Sequence, residues 1–182
     1  MVTVISLVVL FAWVPAAAQW SGHTSGQLQP ATRGSPVNLT GVEAAIVDLT
    51  NDIRRRNGLA ILLEDGMCRD AARGHSADML NRNYFSHTDP EGRTLKERLP
   101  ANFAARQWAE NIWTGRGYDS RQVRYLAQVI MAGWMNSQGH RENILAPGYT
   151  HLGVGVMAKN QEIKATQVFI GMDGAGVRPM KT

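Results

Sequence analysis

Cysteine is almost absent from this chain. Cys68 stands alone among 182 residues, which excludes an intramolecular disulfide framework and any paired-cysteine zinc site. Because Cys68 also falls on an apolar helical stripe, no disulfide-linked dimer is expected. Charge is sparse too: 19% of residues are charged, against 44% hydrophobic. That balance is too apolar for a disordered chain and sufficient to fill one substantial core. Lys and Arg exceed Asp and Glu by 19 to 15, a net +4 spread along the chain, so nucleic acid is not an expected partner. The one basic run, Arg54-Arg55-Arg56, precedes Asn57-Gly58 and reads as a solvated helix C-terminus. No G-x-S-x-G elbow, H-E-x-x-H helix or internal repeat occurs. Gly153, Gly155 and Ala158 spell G-x-G-x-x-A, but a dinucleotide fingerprint needs a helix after it, and strand-like sequence follows here.

The N-terminus is the first informative segment. Residues 1–18 carry no charged side chain, include Pro15, and end in Ala16-Ala17-Ala18 before Gln19. This pattern predicts a secretory signal peptide. An uncleaved anchor is the alternative and would be the protein's only membrane contact, although its apolar stretch falls short of the roughly 20 residues of a span. Either way the domain is expected outside the cytosol, extracellular or periplasmic. Residues 19–38 are rich in Gly, Ser, Thr, Gln and Pro and predict a flexible linker. Residues 39–182 then form one domain.

Within that domain helices come first. Thr40-Gly41-Val42-Glu43 fits a capping box, followed by Val42, Ile46, Leu49 and Ile53 at helical spacing. Cys68, Ala72, His75 and Met79 make a second stripe, and His75 on it reads as a packing histidine. Val123, Leu126, Ala127, Ile130, Met131 and Trp134 make a third stripe, after the N-cap candidates Asp119 and Ser120. A short strand is predicted around Trp108–Trp113. A terminal hairpin is predicted from 151–156 and 163–172, turning at Lys159-Asn160-Gln161. Helices before a late hairpin indicate an α+β fold with helices packed on an antiparallel sheet.

Of the five histidines, His23 lies in the linker, and His151 opens a strand with no stated role. His87 stands in the loop YFSHTDPEG, and His140 follows Gly139 in WMNSQGHRENIL, where the glycine is expected to interrupt the helix. Loops held by rigid elements concentrate functional side chains.

These residues carry a resemblance. FSHTDPEG, AENIWTG, AGWMNSQGHRENIL, THLGVGV and ATQVFIG resemble, in order and spacing, the CAP superfamily of cysteine-rich secretory proteins, antigen 5 and pathogenesis-related proteins, and most of all its bacterial secreted branch. The resemblance spans residues 40–172 and implies a three-layer α-β-α sandwich with a central antiparallel sheet. It also implies a surface cleft of two histidines and two acidic residues, which in some members binds divalent metal. Three of those positions correspond to His87, Glu110 and His140. At the fourth, a W-x-x-E acid in the eukaryotic branch, this chain has Ser137, a candidate cleft-lining residue. Two imidazoles and a carboxylate suit Zn²⁺ or a similar divalent cation. The same three residues can also form a metal-free cluster of charge-assisted hydrogen bonds. The function expected from the resemblance is a secreted, non-catalytic binding module for a lipid, peptide or cell-envelope ligand. The alternative is a metal-dependent, peptidase-like hydrolase using His87, Glu110 and His140.

Overall fold

In a computed structural model of the chain, residues 38–100 and 105–172 are described. The predicted signal segment 1–18, the linker up to residue 37, and the last residues of the predicted domain lie outside them. The elements are α1 (Leu39–Arg56), β1 (Leu63–Glu64), α2 (Gly66–Asn81), α3 (Leu95–Arg98), β2 (Ala105–Arg116), α4 (Val123–Asn136), α5 (Gln138–Leu145), β3 (His151–Lys159) and β4 (Glu162–Met172). The sheet order is β1-β3-β4-β2. The three long strands are antiparallel, as expected, whereas the two-residue β1 pairs with β3 in parallel.

Alternation along β3 sorts the layers, because successive strand residues face opposite sides. Leu152, Val154 and Val156 join one core with Val42 and Ile46 of α1 and Leu126, Ile130 and Trp134 of α4. On the opposite face, Gly153 and Gly155 lie directly beneath the backbone of α2. There Cys68 and Ala72 pack on Val168 and Ile170 of β4. The result is the α-β-α sandwich. The G-x-G pair serves close helix–sheet approach.

The hairpin turns tightly. Asn160 and Gln161 carry φ of 50° and 65°, the two positive values that a two-residue connection matched to strand twist demands. The predicted short strand becomes the twelve-residue β2, paired with β4 from Gln107↔Gly171 to Arg116↔Glu162.

Four local expectations are corrected. Asn38, not Thr40, caps α1, its Oδ1 accepting from Gly41 N at 2.8 Å. Glu43 is freed from the capping role and is buried. It binds Arg73 of α2 and accepts from Val156 N at 3.0 Å. The reason lies in the sheet: β1 covers only His151 and Leu152, so Val156 further along that edge has no strand partner. Arg54 is not solvated but fully buried, donating to Ala60 O, Ile144 O and Ala146 O at 2.8 Å each. Neither Asp119 nor Ser120 caps α4; Asp119 instead accepts from the backbone and side chain of Arg121, and Gln122 stands at the cap.

Candidate functional site

His87 sits in the loop between α2 and α3, and that loop is built around one carboxylate. Asp89 is buried and accepts from Glu91 N at 3.0 Å, Arg93 N at 2.8 Å and Arg93 Nε at 2.7 Å. An Asp that hydrogen-bonds the backbone just after it forms an Asx-type turn. Gly92, at φ +83°, completes the reversal. The loop is therefore a fixed platform, and it presents His87 half-exposed.

Glu110 comes from β2, on the face that carries α2, since it pairs with Val168. Its side chain is 5% exposed. Oε1 accepts from His87 Nδ1 at 2.8 Å, and Oε2 accepts from Arg98 Nη1 at 2.8 Å. Arg98 Nη2 donates to Oε1 at 3.2 Å and to His87 O at 3.0 Å. Burial opposes ionisation of Glu110, but the His87 hydrogen bond and the Arg98 guanidinium prevail and hold its carboxyl below the usual carboxylate range. A carboxylate can only accept, so Nδ1 of His87 carries the ring proton and, in the neutral ring, Nε2 keeps its lone pair.

His140 enters from α5, not from a loop. The break between helices falls at Ser137, and Gly139 and His140 lie in the first turn of α5, which corrects the expected interruption at Gly139. A relay of amides anchors this helix. Asn111 Nδ2 donates to His140 O at 3.1 Å, and Asn143 Nδ2 donates to Asn111 Oδ1 at 2.9 Å. Glu110 and Asn111 point to opposite faces of β2, so one strand positions both the carboxylate and the helix bearing the second histidine. The His87 and His140 rings stand 6.4 Å apart between centroids. Burial, and then the nearby His87, lower the His140 pKa. Ser137 is the junction of α4 and α5, three residues before His140; no hydrogen bond or ion pair joins it to His87, Glu110 or His140. Among the described residues, no group of three or more His, Cys, Asp or Glu is arranged to hold a metal ion.

Sequence reasoning missed two residues at this centre. Arg98 belongs to a one-turn helix that Thr94 and Glu97 cap reciprocally. The capping pattern was a readable signal for the turn, but nothing in it pairs Arg98 with Glu110. His75 is buried on α2 as expected of a packing residue, yet its Nε2 lies 3.8 Å from Glu110 Oε1 and donates to Ser86 O at 3.0 Å. Burial lowers its pKa despite Glu110, so at neutral pH this contact is not an ion pair. Tyr84 spends its proton on Asp78 Oδ2 at 2.6 Å and only approaches His75 Nδ1, at 3.5 Å.

These shifts set an acid limit. A folded state that keeps His75 neutral is destabilised once the unfolded chain takes up the proton, so stability is expected to fall as pH drops below the ordinary value of 6.5. Glu110 acts in a lower window: its contribution is present above the ordinary carboxylate value of 4.5 and is lost as pH falls through its depressed folded value. Thermal unfolding across pH should therefore weaken in two stages, and His75→Gln should shrink the first while leaving the second. A first stage undiminished in His75→Gln would assign it to other groups.

The comparisons with known proteins agree with this architecture. Residues 47–170 match the family described as "Cysteine-rich secretory protein family", CAP. The chain is 43% identical over 122 residues to the "Uncharacterized membrane protein YlbC" of Bacillus subtilis, covering 66% of this chain and 33% of that one. It is 35% identical over 141 residues to the "Uncharacterized protein YkwD" of the same organism, covering 77% and 51%. The crystal structure of an extracellular protein containing an SCP domain from Bacillus anthracis superposes with a TM-score of 0.63 at 37% identity, covering 78% of this chain and 45% of that one. The chain thus spans about a third to a half of the length of these relatives.

Proposed function

The chain belongs to the cysteine-rich secretory protein (CAP) family, and from that premise we propose that it is an exported binding module whose His87–His140 cleft receives its ligand without turning it over. The observation that carries this reading is the state of Glu110. Both of its oxygens are engaged, by His87 and by Arg98, and the carboxyl is held ionised. A general base must be free to take a proton, and a general acid must carry one near neutral pH; Glu110 is arranged for neither. The ligand class is a lipid, peptide or cell-envelope component, in keeping with export through residues 1–18. Among the described residues no helix is long and apolar enough to cross a membrane.

A divalent cation fits part of this site. His87 Nε2 and the His140 ring are neutral nitrogen donors of the kind Zn²⁺ accepts, with remaining positions open to water. Glu110 fits better behind His87 than on the ion, because metal-bound histidines ordinarily donate their other N–H to a carboxylate that fixes the ring. When bound, such an ion would supply an electrophilic anchor for a carbonyl or carboxylate. The chain's own contribution is orientation: Glu110 fixes the His87 tautomer, Arg98 holds Glu110, and Asn111 holds α5.

Calorimetric titration with Zn²⁺ tests the arrangement. Wild type should show saturable binding that weakens below about pH 6.5, where protons compete for imidazole. His140→Ala should abolish it. Glu110→Gln, which retains an acceptor for Nδ1–H, should cost about tenfold or less, whereas Glu110→Ala should cost about 10–100-fold. Ser137→Glu should strengthen binding by adding a negative ligand. No saturable heat at neutral pH would leave a metal-free polar cleft. Zn²⁺-dependent turnover of a peptide and ester library, lost in Glu110→Ala, would overturn the binding reading in favour of a hydrolase.

A further inference from the structure

The helix that carries His140 is held by hydrogen bonds more than by packing. Of the eight residues of α5 only Ile144 is buried, with Leu145 half-buried beside it. Both lie at the C-terminal end, whereas His140 lies in the first turn. Arg54 of α1 holds that C-terminal end through Ile144 O and Ala146 O. The N-terminal end is held by Asn111, and Asn111 is itself held from behind.

The residue behind it is Gln167 of β4, directly opposite Asn111 across the β2–β4 ladder. Asn111 Nδ2 donates to Gln167 Oε1 at 3.2 Å, and Gln167 Nε2 donates to Thr50 Oγ1 at 2.8 Å. Thr50 Oγ1 in turn donates to Ile46 O at 2.8 Å. Asn111, Gln167 and Thr50 are all fully buried, so solvent does not compete for these bonds. The sense of the chain is forced. Its two ends, His140 O and Ile46 O, are carbonyls and can only accept. The Asn111 amide must therefore turn its NH2 toward His140 and Gln167, and the Gln167 amide its NH2 toward Thr50. Turning either amide over would set donor against donor or acceptor against acceptor in the interior, with the cost of an unmade buried bond. Thr50 and Arg54 stand one turn apart on α1 and are both buried, so a single face of α1 holds both ends of α5.

We infer that Gln167 is a positioning residue of the His87–His140 cleft. It bonds to neither histidine, and through Asn111 it sets where His140 stands against His87. The inference rests on the reading of that cleft as the binding site.

Two readouts on the full chain test it. One is the set of ring resonances of isotope-labelled histidine, without metal, at about pH 7.5, above the ordinary histidine value, with His140→Ala to assign the signal. The other is calorimetric titration with Zn²⁺. Gln167→Met nearly keeps the volume and leaves Thr50 bonded to Ile46, but removes both amide bonds. It should displace or split the His140 signal while leaving those of His75 and His151 in place. It should also weaken Zn²⁺ binding by about tenfold, the low end for a group behind a metal ligand. Thr50→Val, which replaces only the hydroxyl, should act in the same sense, whereas Thr50→Ser, which keeps the hydroxyl and loses a methyl, should behave like wild type. A role in packing alone predicts the opposite order, because serine and not valine leaves a void. If wild type takes up no Zn²⁺, the metal reading of the cleft fails and the ring signals alone decide for or against Gln167. The inference is overturned if Gln167→Met leaves the His140 signal in place, if His75 and His151 move with it, or if Thr50→Ser disturbs the signal as much as Thr50→Val. Unchanged affinity of Gln167→Met, where wild type binds Zn²⁺, overturns it as well. Should Gln167→Met not fold, the two Thr50 variants make the decision.

Discussion

Gly155→Ala is expected to destabilise the protein by about 3 kcal/mol or more, at or beyond the upper end of ordinary overpacking. A Cβ at this position would fall 2.2 Å from Arg73 N, 2.4 Å from Ala72 C and 2.5 Å from Arg73 Cα. These are backbone atoms of α2, so no rotamer change relieves the clash. Gly153 meets Arg69 N at 2.1 Å in the same way. The helix would have to lift off the sheet, separating Cys68 and Ala72 from Val168 and Ile170. It would also strain the Ser76 Oγ hydrogen bonds to Gly155 O at 2.9 Å and Thr166 at 2.8 Å. Gly74→Ala supplies the control on the exposed side of the same helix. There the added methyl meets open space and should stabilise by up to about 1 kcal/mol through helix propensity. Denaturant unfolding of both variants measures the contrast; a Gly155→Ala loss below about 0.5 kcal/mol would be incompatible with this helix–sheet approach.

Arg54→Met should cost about 3 kcal/mol or more. The guanidinium lies fully buried and bridges three carbonyls from two distant segments: Ala60 after α1, and Ile144 and Ala146 at the end of α5. Each carbonyl left unpaired in the interior costs roughly 1 kcal/mol or more. Burial also depresses the Arg54 pKa, a sign that these acceptors only partly replace lost hydration. Arg54→Lys should recover little, because a single ammonium cannot reproduce the planar fork that reaches all three oxygens. Since α5 also carries His140, the variant should weaken Zn²⁺ binding under conditions where it is still folded. Unfolding and titration on the same preparation check both effects, and a loss below about 1 kcal/mol would rule out this clamp.

The helices and the hairpin were legible because their signals are local. Period-3.6 apolar stripes marked α1, α2 and α4, alternation marked β3 and β4, and Asn160-Gln161 fell where the reversal occurs. Glu110, His87 and His140 were legible only as motif positions of a family, since their separations of 23 and 30 residues carry no periodicity of their own. Caps were read less well. Thr40, Asp119 and Ser120 have the right chemistry, but Asn38 reaches Gly41 N first, and Asp119 is drawn away by Arg121.

What the sequence by itself determined, then, was that α1, α2, α4, β3 and β4 form and which face of those three helices turns inward, because burial of apolar surface follows the spacing of neighbours along the chain. What only the tertiary structure decided was the partner of each buried charge. Arg98 on Glu110, Arg73 on Glu43 and Arg54 on the carbonyls of α5 join residues 12, 30 and 90 positions apart. A buried charge must find a compensating group wherever the fold brings one within about 3 Å, and no pattern along the chain encodes that distance. For this reason Arg54 reads as a solvated helix end and is a buried clamp, and the arginine that holds Glu110 has no signal in the sequence.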